Sequence, residues 1–126
     1  MINEMSNSLA DRMVNLSPEV RNFCEENSRK IAGDPPRFQT MADAWVFAVL
    51  EGIKSGTRFE GEMKKTKDAF RWRVVRTEIQ GALLLKAYIV NSVNNQRISL
   101  EENSPGELIS LLERFAHSGI LSLGKT

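Results

Sequence analysis

The chain reads as mainly α: a compact single domain of about four helices with one or two short strands. Three observations predict that class. Strong helix-start signals recur at Ser17-Pro18-Glu19, at Thr40 with Asp43, and at Ser104-Pro105-Gly106-Glu107. Behind each, apolar residues return at the spacing of a helix face. And 126 residues with 41% hydrophobic side chains suffice for one core without staples.

Residues 1–11 are polar and without period, and read as a flexible lead to a helical domain over 12–126. RMVNL, at 12–16, reads as a short strand whose alternation buries Val14 and Leu16 and turns Asp11, Met13 and Asn15 outward. Ser17 as N-cap, Pro18 at the first helical position and Glu19 in the first turn suit the unpaired amides of a helix start. Val20, Phe23, Cys24, Asn27 and Ile31 follow at helical spacing, so the first helix is predicted from Pro18 to Ala32, ending at Gly33 and the Asp34-Pro35-Pro36 breaker. Thr40 caps the second helix, with Asp43 completing a capping-box pattern and Phe38 bracing its start. MADAWVFAVLEGIKSG is apolar around much of its circumference, which predicts a helix central to the core or buried in an oligomer interface, stopped by Gly56.

Thr57 to Val75 reads as a basic connection followed by a strand at Phe70–Val75. A third, broadly apolar helix, IQGALLLKAYIVNSV, follows a cap at Thr77 and stops at Asn94-Asn95; RISL then forms a short extended stretch. The last helix opens on the box at Ser104–Glu107, carries Leu108, Leu111, Leu112 and Phe115 as a stripe, and is predicted to stop at Gly119.

Composition narrows the function classes. Cys24 is the only cysteine, which excludes an internal disulfide and a thiolate-rich zinc site and fits a reducing cytoplasm. The N-terminus lacks the apolar run of a secretory signal, and the nine-residue ALLLKAYIV is too short to cross a bilayer as a helix. The formal charge of +1 is unevenly laid out: residues 1–63 carry 7 basic and 10 acidic side chains, −3, against 10 and 6 in residues 64–126, +4. Attraction to an anionic partner is therefore expected from the second half.

That excess is densest in KKTKDAFRWRVVR, from Lys64 to Arg76, where Lys64, Lys65, Lys67, Arg71, Arg73 and Arg76 surround Phe70 and Trp72. Cations supply sequence-independent attraction to phosphates, and aromatic faces stack on exposed bases. The same pattern fits an amphipathic strand, with Phe70, Trp72 and Val74 on one side and Arg71, Arg73 and Val75 on the other, the aromatics in the core and the arginines merely solvated. We expect Trp72 in the core.

Catalysis finds little footing. His117, the sole histidine, is placed near a helix C-terminus as a charged cap, with no nucleophile or orienting carboxylate identified beside it. Cys24 lies on the apolar face of the first helix as a small hydrophobe. The adjacent pairs Glu25-Glu26 and Glu101-Glu102 point to different faces, and no phosphate-cradling glycine pattern precedes a Lys-Ser or Lys-Thr helix start. No cofactor or metal is expected.

Two resemblances add context. RMVNLSPEV and the order of elements through Gly56 resemble ribbon-helix-helix proteins, whose dimers place a two-stranded ribbon in the DNA major groove, although an outward acid and methionine are poor readers of base edges. FQTMADAWVFAVLEGIKSGTR, from Phe38 to Arg58, is similar to the Dnd system-associated protein 4 family in its aromatic residue, Asp, apolar Phe-Ala run and closing Gly-x-x-x-Gly-x-Arg. LLERFAHSGILSL, from Leu111 to Leu123, resembles that family's final helix. These small proteins are encoded beside bacterial DNA phosphorothioation and restriction systems. The resemblance implies a non-enzymatic accessory role in DNA modification or anti-phage defence, with DNA or a DNA-processing protein as partner. The alternative is a pure protein-interaction subunit using the apolar helices at 41–55 and 78–93. Either way a homo-oligomer is expected, most simply a dimer.

Overall fold

The computed structural model describes residues 9–29, 35–56, 58–63, 66–93 and 105–123. Among them the elements run β1 (Met13–Leu16), α1 (Pro18–Ser28), α2 (Met41–Ser55), β2 (Lys67–Arg71), a 3-10 turn (Trp72–Val74), α3 (Thr77–Val93) and α4 (Pro105–Leu123). The mainly α, single-core architecture is the predicted one.

Local signals explain most element starts. Ser17 Oγ accepts from the Val20 N–H and Thr40 Oγ1 from the Asp43 N–H, so two of the predicted N-caps are in place. Gly56, at φ 84°, closes α2 in the left-handed conformation that glycine adopts at least cost. β1 pairs antiparallel with β2, Met13 opposite Arg71 and Leu16 opposite Lys67, with an irregularity between Val14 and Asn15. Val14 and Leu16 are buried as the alternation requires. The ribbon is thus closed within one chain.

At the centre, α2 and α4 run antiparallel, with Ala48–Gly52 facing Phe115–Gly119. A Cβ on Gly119 would overlap the Ala48 carbonyl oxygen, and one on Gly52 would overlap that of Phe115. Gly119 therefore does not stop the last helix, which continues to Leu123. A glycine that lets two backbones touch gives the same sequence signal as a C-cap. Around this seam, Trp45 meets Phe70 and Trp72 edge-on, with ring centroids 5.7 and 6.4 Å apart. Phe23, Phe38 and Phe47 form a second aromatic group under the Arg37 guanidinium, 4.7 Å from the Phe47 ring.

Four expectations are corrected. α1 ends at Ser28, not Ala32, and Arg29 is already extended. There Asn27 Nδ2 and Ser28 Oγ donate to the carbonyls of Phe23 and Cys24, and the Asn27 carbonyl accepts the Phe38 N–H, so side chains and a loop amide replace the next helical turn. Ile31 to Asp34 lie outside the described residues. The strand expected at Phe70–Val75 starts earlier, at Lys67, and gives way to a 3-10 turn at Trp72. Three-residue spacing then puts Trp72 and Val75 in the core and leaves Val74 exposed, the reverse of the alternation for the two valines. Thr77 is the first residue of α3 rather than a cap. Finally, Leu9 is buried and Arg12 donates its N–H to the Leu9 carbonyl, so residues 9–11 form a packed turn within the stretch expected to be a flexible lead. Ser104 and the RISL and Asn94-Asn95 signals fall outside the described residues.

Candidate functional site

The basic segment forms an edge made of β2, the 3-10 turn and the start of α3. Lys67 opens β2 opposite Leu16, Arg71 ends it opposite Met13, Arg73 sits in the turn and Arg76 just before α3; all four are exposed. Lys64 and Lys65 lie outside the described residues. Trp72 is fully buried and Phe70 half-buried against Trp45, so the indole is packing, not a platform for bases.

Three arginines of this edge touch acids from elsewhere in the chain. Arg71 Nη1 donates to the Asp11 carbonyl at 3.2 Å and lies 4.0 Å from its carboxylate, which also pairs with Arg73 Nη2. Arg76 donates to both Asp43 oxygens at 3.1 and 3.3 Å, and the same carboxylate, first through its hydrogen bond and then through its charge, raises the Arg76 pKa further above its ordinary value. Each guanidinium remains more than half exposed. The Asp11 pairs are exposed on both sides, whereas the Asp43 carboxylate is only 20% exposed and is held by Arg76 through both oxygens, so the Asp11 pairs are the weaker ones. Two arginines share Asp11, which leaves that part of the edge net positive.

Arg21 on α1 escaped the reading of the sequence. Its Nη2 donates to the Lys67 and Asp68 carbonyls at 3.3 and 3.1 Å, fixing β2, while its Nη1 lies 3.8 Å from the Glu25 carboxylate. It is remote from the basic run in sequence, and no spacing signal connects the two.

A second cluster lies where β1 and the start of α1 meet α4. His117, expected as an exposed charged cap, is instead buried within α4, because that helix runs on past Gly119. Its Nδ1 is 2.7 Å from Ser17 Oγ and 3.8 Å from Glu19 Oε2, so a hydroxyl and a carboxylate do stand beside it. Both approach the same ring nitrogen, whereas a nucleophile–base–carboxylate relay uses the two nitrogens separately. Ser17 is itself buried and engaged as the cap of α1, and the imidazole packs edge-on to Phe59 at 4.4 Å. Burial pushes the His117 pKa below its ordinary value, with Glu19 opposing. One helical turn earlier, Glu113 accepts the Asn15 N–H at 2.6 Å, and burial raises its pKa to about 7. The arrangement clasps β1 and α1 to α4. Cys24 is buried as expected, its thiol pushed up to about 12 by desolvation, and so holds its proton at neutral pH.

Among the described residues no group of three or more His, Cys, Asp or Glu side chains is placed to hold a metal ion, and no helix is long and apolar enough to cross a membrane. A third feature is apolar. Val46 and Leu50 of α2 and Ile79, Ala82, Leu83 and Lys86 of α3 line a shallow groove of about 110 Å³.

Compared with protein-family models, curated proteins and solved structures, the chain finds no match in any of the three.

Proposed function

We propose that this chain is a non-enzymatic accessory protein of a bacterial DNA-modification or anti-phage defence system, acting in the cytoplasm as a homo-oligomer, most simply a dimer. Its basic edge engages nucleic acid or a DNA-processing partner. The observation that carries this reading is the exposed row Lys67, Arg71, Arg73 and Arg76, in which one carboxylate, Asp11, is shared by two guanidiniums. The defence context comes from the resemblance of 38–58 and 111–123 to the Dnd system-associated protein 4 family. Those stretches supply α2 and most of α4, and their Gly52 and Gly119 serve the seam between the helices. The resembling positions thus belong to the scaffold, which leaves the exposed edge free to carry the contact.

With Trp72 in the core, binding is weak, lacks base stacking by that ring and has little base specificity. If Lys64, Lys65, Lys67, Arg71, Arg73 and Arg76 all neutralise duplex phosphates, log affinity falls with log salt at a slope of about −5, and each charge removed lowers the slope by about 1. The test is a salt series on duplex and single-stranded DNA, with and without phosphorothioate linkages. Absence of salt-sensitive binding at low ionic strength, or unchanged binding after reversal of all six charges, ends the nucleic-acid reading. The chain would then act as a protein-interaction subunit, a second reading favoured by the apolar groove between α2 and α3.

A further inference from the structure

The cover over His117 is not held equally on all sides. Ser17 and Glu19, which approach its Nδ1 at 2.7 and 3.8 Å, belong to the start of α1, where Ser17 is buried as the helix cap. Phe59, edge-on to the imidazole with ring centroids 4.4 Å apart, belongs instead to a connection without regular secondary structure. α4 itself ties that connection down. The Phe59 N–H donates to the Arg114 carbonyl at 3.3 Å, and Arg114 Nη1 donates to the carbonyls of Phe59 and Gly61 at 2.9 and 2.8 Å. Gly61 lies so close against the Phe59 ring that a Cβ there would stand 2.7 Å from its Cζ, so residues 59–61 form one tight fold of chain. His117 follows Arg114 by three residues on the same face of α4, so the residue that pins this fold stands beside the ring that the fold covers.

A proton on His117 acts on this arrangement through its charge. The charged groups around the ring are Glu19 from α1, Arg114 from α4 and, in the connection, Arg58 and Glu60, which pair with each other at 3.3 Å. Glu113, one turn earlier on α4, holds its own proton up to about pH 7 and so adds no charge in the acid range. Burial disfavours the imidazolium most; Glu19, more than half exposed, attracts it and Arg114 repels it, and the balance stays against the charge. A conformation that returns the ring to water therefore binds the proton more tightly, and by linkage acid favours that conformation. Phe59 is the cover that can leave without dismantling a helix. We propose that residues 59–61 are an acid-released strap: Arg114 holds them over the imidazole while the ring is neutral, and they lift from it when His117 takes a proton.

The test uses the full chain without nucleic acid, with the sole imidazole as its probe. By NMR, His117 is expected to titrate below 6.5, with the amide signals of Phe59, Glu60 and Gly61 moving at the same midpoint and the contact between the Phe59 ring and the imidazole fading as it is passed. In His117→Gln those amides should lose that midpoint. Phe59→Ala, which changes no charge, should move the His117 midpoint up toward 6.5 and, at neutral pH, speed acylation of the imidazole by diethyl pyrocarbonate at least about tenfold. Arg114→Lys, which keeps the charge but not the planar fork, should do the same to a smaller degree. An unchanged midpoint and acylation rate in Phe59→Ala overturn the inference. So do strap signals that ignore the titration of His117, or a closer contact between the two rings in acid.

Discussion

Glu113 and His117 respond to pH in opposite directions. The buried Glu113 carboxyl keeps its proton until about pH 7 when folded, while the unfolded chain releases it near 4.5. Its contribution to stability therefore falls as pH rises from about 4.5 to 7, by on the order of 3 kcal/mol. His117 is held below its ordinary 6.5, so its contribution is intact above that value and is lost as pH falls through the folded pKa. In the natural chain the two slopes oppose each other. Glu113→Gln should leave stability rising with pH up to about 6.5, and His117→Gln should leave it falling from about 4.5 to 7. Urea unfolding from pH 4.5 to 8 checks this; parallel profiles in the two variants would refute it. His117→Gln also breaks the buried bond to Ser17 and should cost about 1–3 kcal/mol, more than an exposed cap would. Trp72→Ala should cost about 3–5 kcal/mol, because its ring is fully buried and meets Trp45. None of the Glu113 chemistry was legible beforehand. A glutamate beside a leucine stripe looks solvated until β1 lies across it.

At the scale of elements, Gly56 and Gly119 both read as helix stops but have different physics, and Gly52 shares that of Gly119. Gly56→Ala places a Cβ on a left-handed residue with open space around it, for about 1–2 kcal/mol. Gly52→Ala and Gly119→Ala drive a Cβ into the opposite helix's backbone, which no rotamer change relieves, and each should cost about 3 kcal/mol or more. Urea midpoints should rank Gly56→Ala as the mildest; an equal or reversed order would show that α2 and α4 can move apart freely. Both N-caps were readable because a cap is a short-range contact, Ser17 with Val20 and Thr40 with Asp43. The end of α1 was not. It depends on a hydrogen bond from Phe38 to Asn27, across a connection that periodicity does not describe.

For the whole molecule, charge placement offers a direct test of the basic edge. Asp11 pairs with Arg71 and Arg73, and Asp43 with Arg76, so in the proposed DNA contact each carboxylate would compete with phosphate. Asp11→Asn should therefore tighten DNA binding several-fold at low salt, with the larger effect at the residue that serves two arginines, and Asp43→Asn should tighten it less. Affinities measured at one low ionic strength decide this, since unchanged values would mean that these arginines never reach the phosphates.

What the sequence alone determined rests on near neighbours: the mainly α class, the caps at Ser17 and Thr40, the Gly56 stop, the burial of Val14, Leu16 and Trp72, and the uneven charge. Those features follow from contacts within a turn or from periodicity, and both are written along the chain. Tertiary structure decided the rest: that Gly119 is a crossing point, that His117 clasps Ser17, that a 3-10 turn exchanges Val74 for Val75, and that three arginines meet Asp11 and Asp43. In each case the deciding group lies on another element, and local spacing carries no record of which surfaces the packed core brings together.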